Sequence, residues 1–330
     1  RRLTGKQMRR LGLWLLLLTM SCGLSQAAQR VQVFTKPEQT KSCELIGTTS
    51  GHASGWGDRY RYDAYDDARE KAAVLGADAI LITYGDQVNR NHEASLQTLY
   101  GFLEDHLQGI VNSVHILPFY PSSSDSGFSV VNYSAVDPHM GSWREIEIIS
   151  ANYRLMVDGV INHVSQFSDW FKAFLAGDTY FKDFFTEVDP AVDLSKVIRP
   201  RATPVLSEFV DNDGKIHNIW TTFSRDQVDL NYKNHRVLRN VLDALFYYIE
   251  KGATLIRLDA IAFIWKEIGT ECVHLPQTHE LIQLMREVLH EMAAEVIIIT
   301  ETNVPHHENV SYFGSRDDEA QMVYNFALPP

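Results

Sequence analysis

The chain has 330 residues, of which 45% are hydrophobic and 22% are charged, and its formal net charge is -12. These proportions are ordinary for a folded globular protein, and the negative charge, without a basic stripe, excludes nucleic acid as an expected partner. The three cysteines, Cys22, Cys43 and Cys272, are too few and too scattered for a disulfide framework or a zinc site.

Residues 1–28 have the pattern of an export signal. A basic start is followed by an apolar run, Leu11–Leu18, and by small residues at Ser25–Ala27 that suit a cleavage site. The run is too short to cross a bilayer, which disfavours a transmembrane anchor. Cleavage before Cys22 with lipidation is a further alternative, although the residues preceding Cys22 fit that pattern poorly. We expect a signal-peptide-like leader that directs the chain to the periplasm or envelope.

Residues 29–79 predict a small α+β module. Val31–Phe34 has the pattern of a strand, and Asp63–Leu75 has helical composition. The segment Cys43–Gly47 followed by Ala68–Ala79 resembles small bacterial envelope lipoproteins of unknown function. That resemblance identifies no catalytic residue.

Residues 80–330 alternate regularly between strand and helix patterns, which predicts a parallel sheet with covering helices. We expect strands over Ile80–Thr83, Val114–Phe119, Leu155–Ile161, Leu255–Leu258, Val296–Thr300 and Val323–Phe326, and helices over Leu96–Leu107, Trp143–Ser150, Val237–Ile249 and Leu281–Met292. The α/β order fits a doubly wound sheet or a (β/α)8 TIM barrel that is incomplete, with about six of eight strands. Residues 164–232 would be a region inserted after the third strand.

Charged residues interrupt the fourth predicted strand near its carboxyl end. Arg257 and Asp259 alternate with Ile256 and Leu258, so both charged side chains point to the same face. Burying them costs several kcal/mol unless each is paired or used. A structural ion pair and a catalytic pair are both consistent with this pattern.

Polar side chains also follow the third and fifth predicted strands. The third ends at Asp158, Asn162 and His163, and the fifth ends at Glu301. Because the carboxyl ends of parallel strands share one rim, these groups would converge with Asp259. Cleavage of a glycoside with retention of the anomeric configuration requires two carboxyl groups about 5 Å apart.

The strand-end motifs resemble those of the α-amylase superfamily, glycoside hydrolase family 13. Asp158–His163, Ile256–Ala260 and Ile299–Asn303 occur in the order and spacing of that family. Three further motifs resemble its sucrose phosphorylase subfamily: His115–Phe119, Asp125–Phe128 and Trp265–Thr270. Two others, His274–His279 and Glu301–His306, resemble most closely the glucosylglycerate phosphorylase members of that subfamily.

The resemblance implies a retaining α-glucosyl phosphorylase and assigns roles to individual residues. Asp259 matches the nucleophile that forms a β-glucosyl ester, and Glu301 matches the general acid/base. Arg257 would keep the nucleophile ionised and oriented. Residues expected to bind the glucose are Asp125, Phe128 and His163; those expected on the acceptor side are Phe223 and Gln227; those expected to brace the rim are Asp158 and Asn162.

Phosphorolysis needs a site for inorganic phosphate, which would be a co-substrate. Arg199 and Arg201 are the candidates, because forked guanidinium groups suit phosphate oxygens. The alternative is that both are solvated loop arginines. His306, His307 and Glu308 lack a further spaced ligand, so we expect neither a metal nor an organic cofactor.

Two other interpretations compete with the phosphorylase. One is an α-glucosidase or transglycosylase of the same superfamily, and the other is a non-catalytic envelope lipoprotein-type module joined to a dead barrel fragment. The resemblance implies a cytoplasmic enzyme with a small-molecule glucoside and phosphate as partners and no membrane contact for the barrel. This conflicts with the leader, and a fused reading frame with its junction near Ile80 would explain the conflict.

The family's third carboxylate lies on a seventh strand, which the chain does not reach. We therefore expect the chain alone to be an inactive fragment.

Overall fold

The computed structural model describes residues 31–34, 45–49, 78–316 and 318–324. The predicted leader, most of the N-terminal module with its helix, and the end of the sixth predicted strand lie outside the described residues. Within the described part, no helix is long and apolar enough to cross a membrane.

The described elements follow the predicted alternation. The strands are β1 (Val31–Phe34), β2 (Leu45–Thr49), β3 (Asp78–Thr83), β4 (Ser113–Ile116), β5 (Arg154–Gly159), β6 (His163–Ser165), β7 (Leu206–Val210), β8 (Ile216–Trp220), β9 (Gln227–Asp229), β10 (Ala253–Leu258), β11 (Ile297–Thr300) and β12 (Met322–Val323). The α-helices are α1 (Ser95–His106), α2 (Trp143–Asn152), α3 (Asp169–Leu175), α4 (His235–Glu250), α5 (Pro276–Met292) and α6 (His306–Asn309).

The main sheet contains six parallel strands in the order β3-β4-β5-β10-β11-β12. The predicted parallel α/β sheet is therefore confirmed. At the β3 edge, β1 pairs antiparallel with β3 and places Val33 opposite Ala79, and β2 pairs antiparallel with β1. Residues of the central strands, such as Val157, Ile256 and Leu258, are buried as parallel strands require.

Local signals fix the helices that cover this sheet. Ser142 and Glu145 form a capping box at the start of α2, and the Asn234 side chain accepts a hydrogen bond from the Arg236 amide at the start of α4. The last predicted helix was expected to begin at Leu281, but α5 begins at Pro276. A proline fits the first turn because the amide proton that it lacks has no partner in the helix.

The predicted inserted region follows β5 and folds into two small antiparallel sheets. In one, β6 pairs with β9, and His163 lies opposite Asp229. In the other, β7 and β8 form a hairpin in which Leu206 lies opposite Trp220. The β6–β9 pairing brings the end of the inserted region back to the rim of the main sheet, where the candidate site lies.

Candidate active site

Four charged side chains meet at the carboxyl ends of three neighbouring strands. Arg257 forms an ion pair through Nη1 with Asp158 Oδ1. The same nitrogen lies 3.2 Å from Asp259 Oδ1, and Arg257 Nη2 lies 3.8 Å from Glu301 Oε1. We call Asp158, Arg257, Asp259 and Glu301 the strand-end cluster. The structure thus brings together residues that the sequence placed on three separate strands.

The sheet itself sets the position of this cluster. Arg257 lies opposite Asp158 in the parallel register of β10 and β5. Beyond the strand ends, the Asp259 amide donates to Gly159 O at 3.1 Å and the Glu301 amide donates to Leu258 O at 3.0 Å. Backbone hydrogen bonds therefore hold both carboxyl-bearing residues, which limits their movement relative to each other.

Asp158 is fully buried and anchors the Arg257 guanidinium. Its Oδ2 lies 2.9 Å from His115 Nε2, and its backbone oxygen accepts a hydrogen bond from the Tyr120 hydroxyl at 3.2 Å. Burial opposes ionisation of Asp158, but the charges of Arg257 and His115 outweigh it and lower the pKa of this carboxyl. The lowered pKa favours the ionised form of Asp158, which fixes the guanidinium.

Asp259 has the opposite electrostatic environment. Burial raises its pKa well above the ordinary value; Arg257 opposes this shift, whereas the carboxylates of Glu301 and Asp158 add to it. Ala260, which follows it, adopts a left-handed conformation with φ 50°, and its amide donates to Glu301 Oε2 at 2.9 Å. The Ala260 amide therefore holds the Glu301 carboxyl group beside Asp259, and a second negative charge next to the first is unfavourable.

A turn after β4 places Phe128 beside the cluster. Asp125, Ser126 and Gly127 have φ values of 54°, 51° and 104°. A Cβ atom on Gly127 would lie 2.5 Å from Pro118 O, so only glycine fits this position. The Phe128 ring centroid lies 5.8 Å from Arg257 Cζ, which suits a cation–π contact at the wall of the site.

Three residues expected around the substrate form one hydrogen-bonded group. Gln227 Nε2 donates to Asp125 Oδ2 at 2.8 Å and to Phe128 O at 3.3 Å, and His163 Nε2 donates to the same Phe128 oxygen at 2.9 Å. The structure thus places Gln227 among the residues expected on the glucose side. The Phe223 ring lies over His163, with ring centroids 5.3 Å apart.

A buried lysine that the sequence did not reveal as a site residue, Lys266, positions His163 through Asn162. Lys266 Nζ lies 2.7 Å from Asp229 Oδ2 and 2.9 Å from Asn162 Oδ1. The Asn162 amide nitrogen in turn lies 3.1 Å from His163 Nδ1. Because that amide donates, Nδ1 accepts and the ring proton resides on Nε2. Burial lowers the pKa of His163 against the pull of Asp229, which favours the neutral ring.

The two candidate arginines have different environments. Arg199 uses all three of its nitrogens within the protein: Nη2 donates to Thr203 Oγ1 at 3.0 Å and Nη1 to Thr203 O on its own loop, and Nε donates to Thr222 O, after β8, at 3.1 Å. Arg201 is exposed, and its Cζ lies 6.0 Å from the Phe223 ring centroid. Of the two, Arg201 therefore keeps its donors available with respect to the residues that the structure describes.

The histidines of the His274–His279 motif bind acidic and phenolic neighbours. His274 Nδ1 lies 2.7 Å from the Tyr312 hydroxyl, and His279 Nδ1 lies 2.8 Å from Glu319 Oε2. Burial lowers the pKa of His274, and Glu308 opposes this shift. Among the described residues, no three acidic, histidine or cysteine side chains are grouped to hold a metal ion.

The arrangement supplies what a double displacement at a sugar carbon requires. A carboxylate held by Arg257 can attack, and a second carboxyl group on the next strand end can give and take a proton. The polar group around Asp125 offers hydrogen bonds to hydroxyl groups.

Comparisons with known proteins agree with this chemistry. Residues 96–329 match the model of the alpha-amylase catalytic domain. The glucosylglycerate phosphorylase of Allomeiothermus silvanus is 55% identical over 253 residues, which cover 77% of this chain and 45% of the relative. That of Spirochaeta thermophila is 52% identical over 276 residues, covering 84% and 47%. The chain thus spans a little less than half the length of these relatives.

A solved structure gives the same result for the fold. The crystal structure of sucrose 6F-phosphate phosphorylase from Thermoanaerobacter thermosaccharolyticum matches with a TM-score of 0.67 and 28% identity, covering 76% of this chain and 52% of that one. The predicted incomplete TIM barrel, with its six parallel strands, is thereby confirmed. The chain belongs to the alpha-amylase family by its catalytic domain, and within that family it is a homologue of the sugar phosphorylases.

Proposed function

We propose that the whole protein is a retaining α-glucosyl phosphorylase that transfers glucose from glucosylglycerate to inorganic phosphate. The observation that carries this proposal is the strand-end cluster in a chain that is 55% and 52% identical to two glucosylglycerate phosphorylases. The cluster supports the double displacement, and the relatives support the choice of donor and acceptor.

In the first step of the proposed reaction, the Asp259 carboxylate attacks the anomeric carbon while Glu301 protonates the glycosidic oxygen. The bond to glycerate breaks, glycerate leaves as an alcohol, and a β-glucosyl ester forms on Asp259. The pair must therefore hold its proton on Glu301 when the donor binds. Arg257, which is anchored by Asp158, stabilises the ionised nucleophile.

In the second step a phosphate oxygen replaces glycerate. Glu301 takes the proton of the attacking phosphate hydroxyl, the ester bond to Asp259 breaks, and α-glucose 1-phosphate forms with the original configuration. We assign phosphate binding to Arg201 rather than Arg199, because the Arg199 nitrogens already donate to Thr203 and Thr222. Phe223 lies beside Arg201 and would border the acceptor side.

The experiment supplies the purified protein with glucosylglycerate, with and without phosphate, and measures glucose 1-phosphate and free glucose. We expect glucose 1-phosphate, in the α configuration by NMR, only when phosphate is present. Free glucose released at the same rate in both reactions would instead support an α-glucosidase and contradict the proposal.

The reverse reaction tests the donor. With glucose 1-phosphate as the glucosyl source, transfer to glycerate should exceed transfer to fructose by about ten- to a hundredfold, because one charged hydrogen bond contributes about 1.5–3 kcal/mol. Faster transfer to fructose would rule out glucosylglycerate as the preferred donor.

A further inference from the structure

A cavity of about 430 Å³ lies between the segment after β4, the start of α3 and the outer side of α4. Its walls include three aromatic side chains, Tyr133, Trp170 and Tyr247. No residue of the strand-end cluster lines it. The volume is within the range of about 300–1,000 Å³ that small-molecule sites occupy.

The aromatic walls are fixed before any ligand arrives. The Tyr133 hydroxyl donates to Val160 O at 2.6 Å, and the Tyr133 ring lies 5.2 Å from the Trp170 ring between centroids. Trp170 also packs edge-on against Phe184 at 5.4 Å. Because these rings are already ordered, a ligand that stacks on them would lose little affinity to side-chain ordering.

The polar part of the cavity is neutral or acidic. Asn132, Asn240 and two serines line it together with Asp169 and Asp243, and no lysine or arginine does. Lys172 lies 3.6 Å from Asp169, whereas Asp243 has no ion-pair partner in the part of the chain that the structure describes. Phosphate, glycerate and sugar phosphates are therefore disfavoured in the cavity by charge repulsion.

We propose that this cavity is a second binding site, separate from the catalytic rim, for a neutral hexoside. The C–H face of a pyranose ring can stack on tyrosine and tryptophan, and its hydroxyl groups can pair with the amides, serine hydroxyls and the Asp243 carboxylate. An organic cation could also bind aromatic rings near a carboxylate. It would make no use of the Asn132 amide nitrogen and the Asn240 amide oxygen, because the hydrogen bonds of these two residues within the described part of the chain use only the other atom of each amide.

Hydrogen–deuterium exchange with methyl α-glucoside tests the proposal, and glucose 1-phosphate and choline are titrated in parallel. The neutral glucoside should protect residues 131–134, 168–170 and 240–247. Glucose 1-phosphate should leave these segments unprotected. Choline should leave them unprotected too. Protection by choline without protection by the glucoside, or no protection by the glucoside at saturation, would overturn the proposal.

Three variants localise the effect. Ala244 lines the cavity, so Ala244→Phe should fill it and abolish the protection. Ala151→Phe, at an exposed position on α2, is the matched control and should retain it. Asp243→Ala changes an exposed side chain and should weaken binding of the glucoside about tenfold or more. Unchanged affinity in both Asp243→Ala and Ala244→Phe would show that the glucoside binds elsewhere.

Discussion

Asp158 on β5 lies opposite Arg257 on β10, and its fully buried carboxylate forms an ion pair with that guanidinium. This pairing determines how the other two carboxyl groups behave. Because Asp158 already compensates much of the Arg257 charge, Asp259 and Glu301 share what is left of it. Arg257 thus stabilises the Asp158 anion strongly, whereas the pKa of Asp259 stays raised although Arg257 opposes that shift.

Replacing Asp158 or Asp259 by asparagine should change stability in opposite directions at neutral pH. The folded pKa of Asp158 is lowered, so its ionised form stabilises the fold above the unfolded pKa, and this stabilisation is lost as the pH falls. Asp158→Asn should therefore lower the free energy of unfolding by about 3–5 kcal/mol at pH 7, because it leaves a buried Arg257 with weakened pairing.

The folded pKa of Asp259 is raised, so its contribution to stability is present below the unfolded pKa and is lost as the pH rises through the folded value. Asp259→Asn should therefore raise the melting temperature at pH 7–8 and have no effect near pH 3–4. Denaturation of both variants across pH 3–8 measures this. A stabilising effect of Asp259→Asn that is the same at every pH would contradict the electrostatic explanation.

The Lys266–Asp229 pair should show strong energetic coupling. Lys266→Met leaves the fully buried Asp229 carboxylate without its cation, and we expect a loss of about 3–5 kcal/mol in the free energy of unfolding. Asp229→Asn removes the remaining charge and should restore part of that loss in the double variant. A double-mutant cycle in denaturant measures the coupling, and simple additivity of the two single changes would show that the pair does not interact.

The sheet could be predicted because its signals are local. Apolar runs such as Leu255–Leu258 mark strands that are buried on both faces, and Arg257 and Asp259 stand out within such a run. The alternation of side chains then requires that these two residues share a face. The position of Glu301 follows from a second rule: it comes directly after the next strand, and the carboxyl ends of parallel strands share one rim.

Lys266 and Asp229 could not be predicted in the same way. Lys266 precedes Glu267, and a neighbouring Lys–Glu pair is typical of a solvated surface. What buries Lys266 is the pairing of β6 with β9, which brings Asp229 beside Asn162 across a long stretch of chain. The register of such short strands depends on tertiary contacts, and the sequence signal that was present, a lysine after Ile264 and Trp265, was too weak to assign a role.

Arg201 and Arg199 should affect phosphate use and folding differently. Arg201→Ala should raise the KM for phosphate about ten- to a hundredfold, the effect of one charged hydrogen bond, and leave the melting temperature unchanged. Arg199→Ala should lower the melting temperature, because it removes hydrogen bonds to Thr203 and Thr222. Steady-state kinetics and thermal denaturation of the whole protein separate the two. A normal phosphate KM in Arg201→Ala would exclude Arg201 from the phosphate site.

The turn that carries Asp125 and Phe128 should depend on Gly127. An alanine there would have an unfavourable positive φ and a Cβ atom 2.5 Å from Pro118 O, so the turn would have to move. Gly109→Ala is the matched control: it has a positive φ of 76°, but nothing lies within 4 Å of its added Cβ atom. Both variants should lose roughly 1–2 kcal/mol of stability to backbone strain, and Gly127→Ala should lose more.

Only Gly127→Ala should impair the site. Displacement of the turn would separate Asp125 from Gln227 and move the Phe128 ring away from Arg257, so the KM for the glucoside should rise while Gly109→Ala keeps the value of the unaltered protein. Kinetics at a temperature well below both melting points distinguishes a local effect from unfolding. An equal rise of the KM in both variants would mean that general destabilisation, and not the position of Asp125 and Phe128, limits substrate binding.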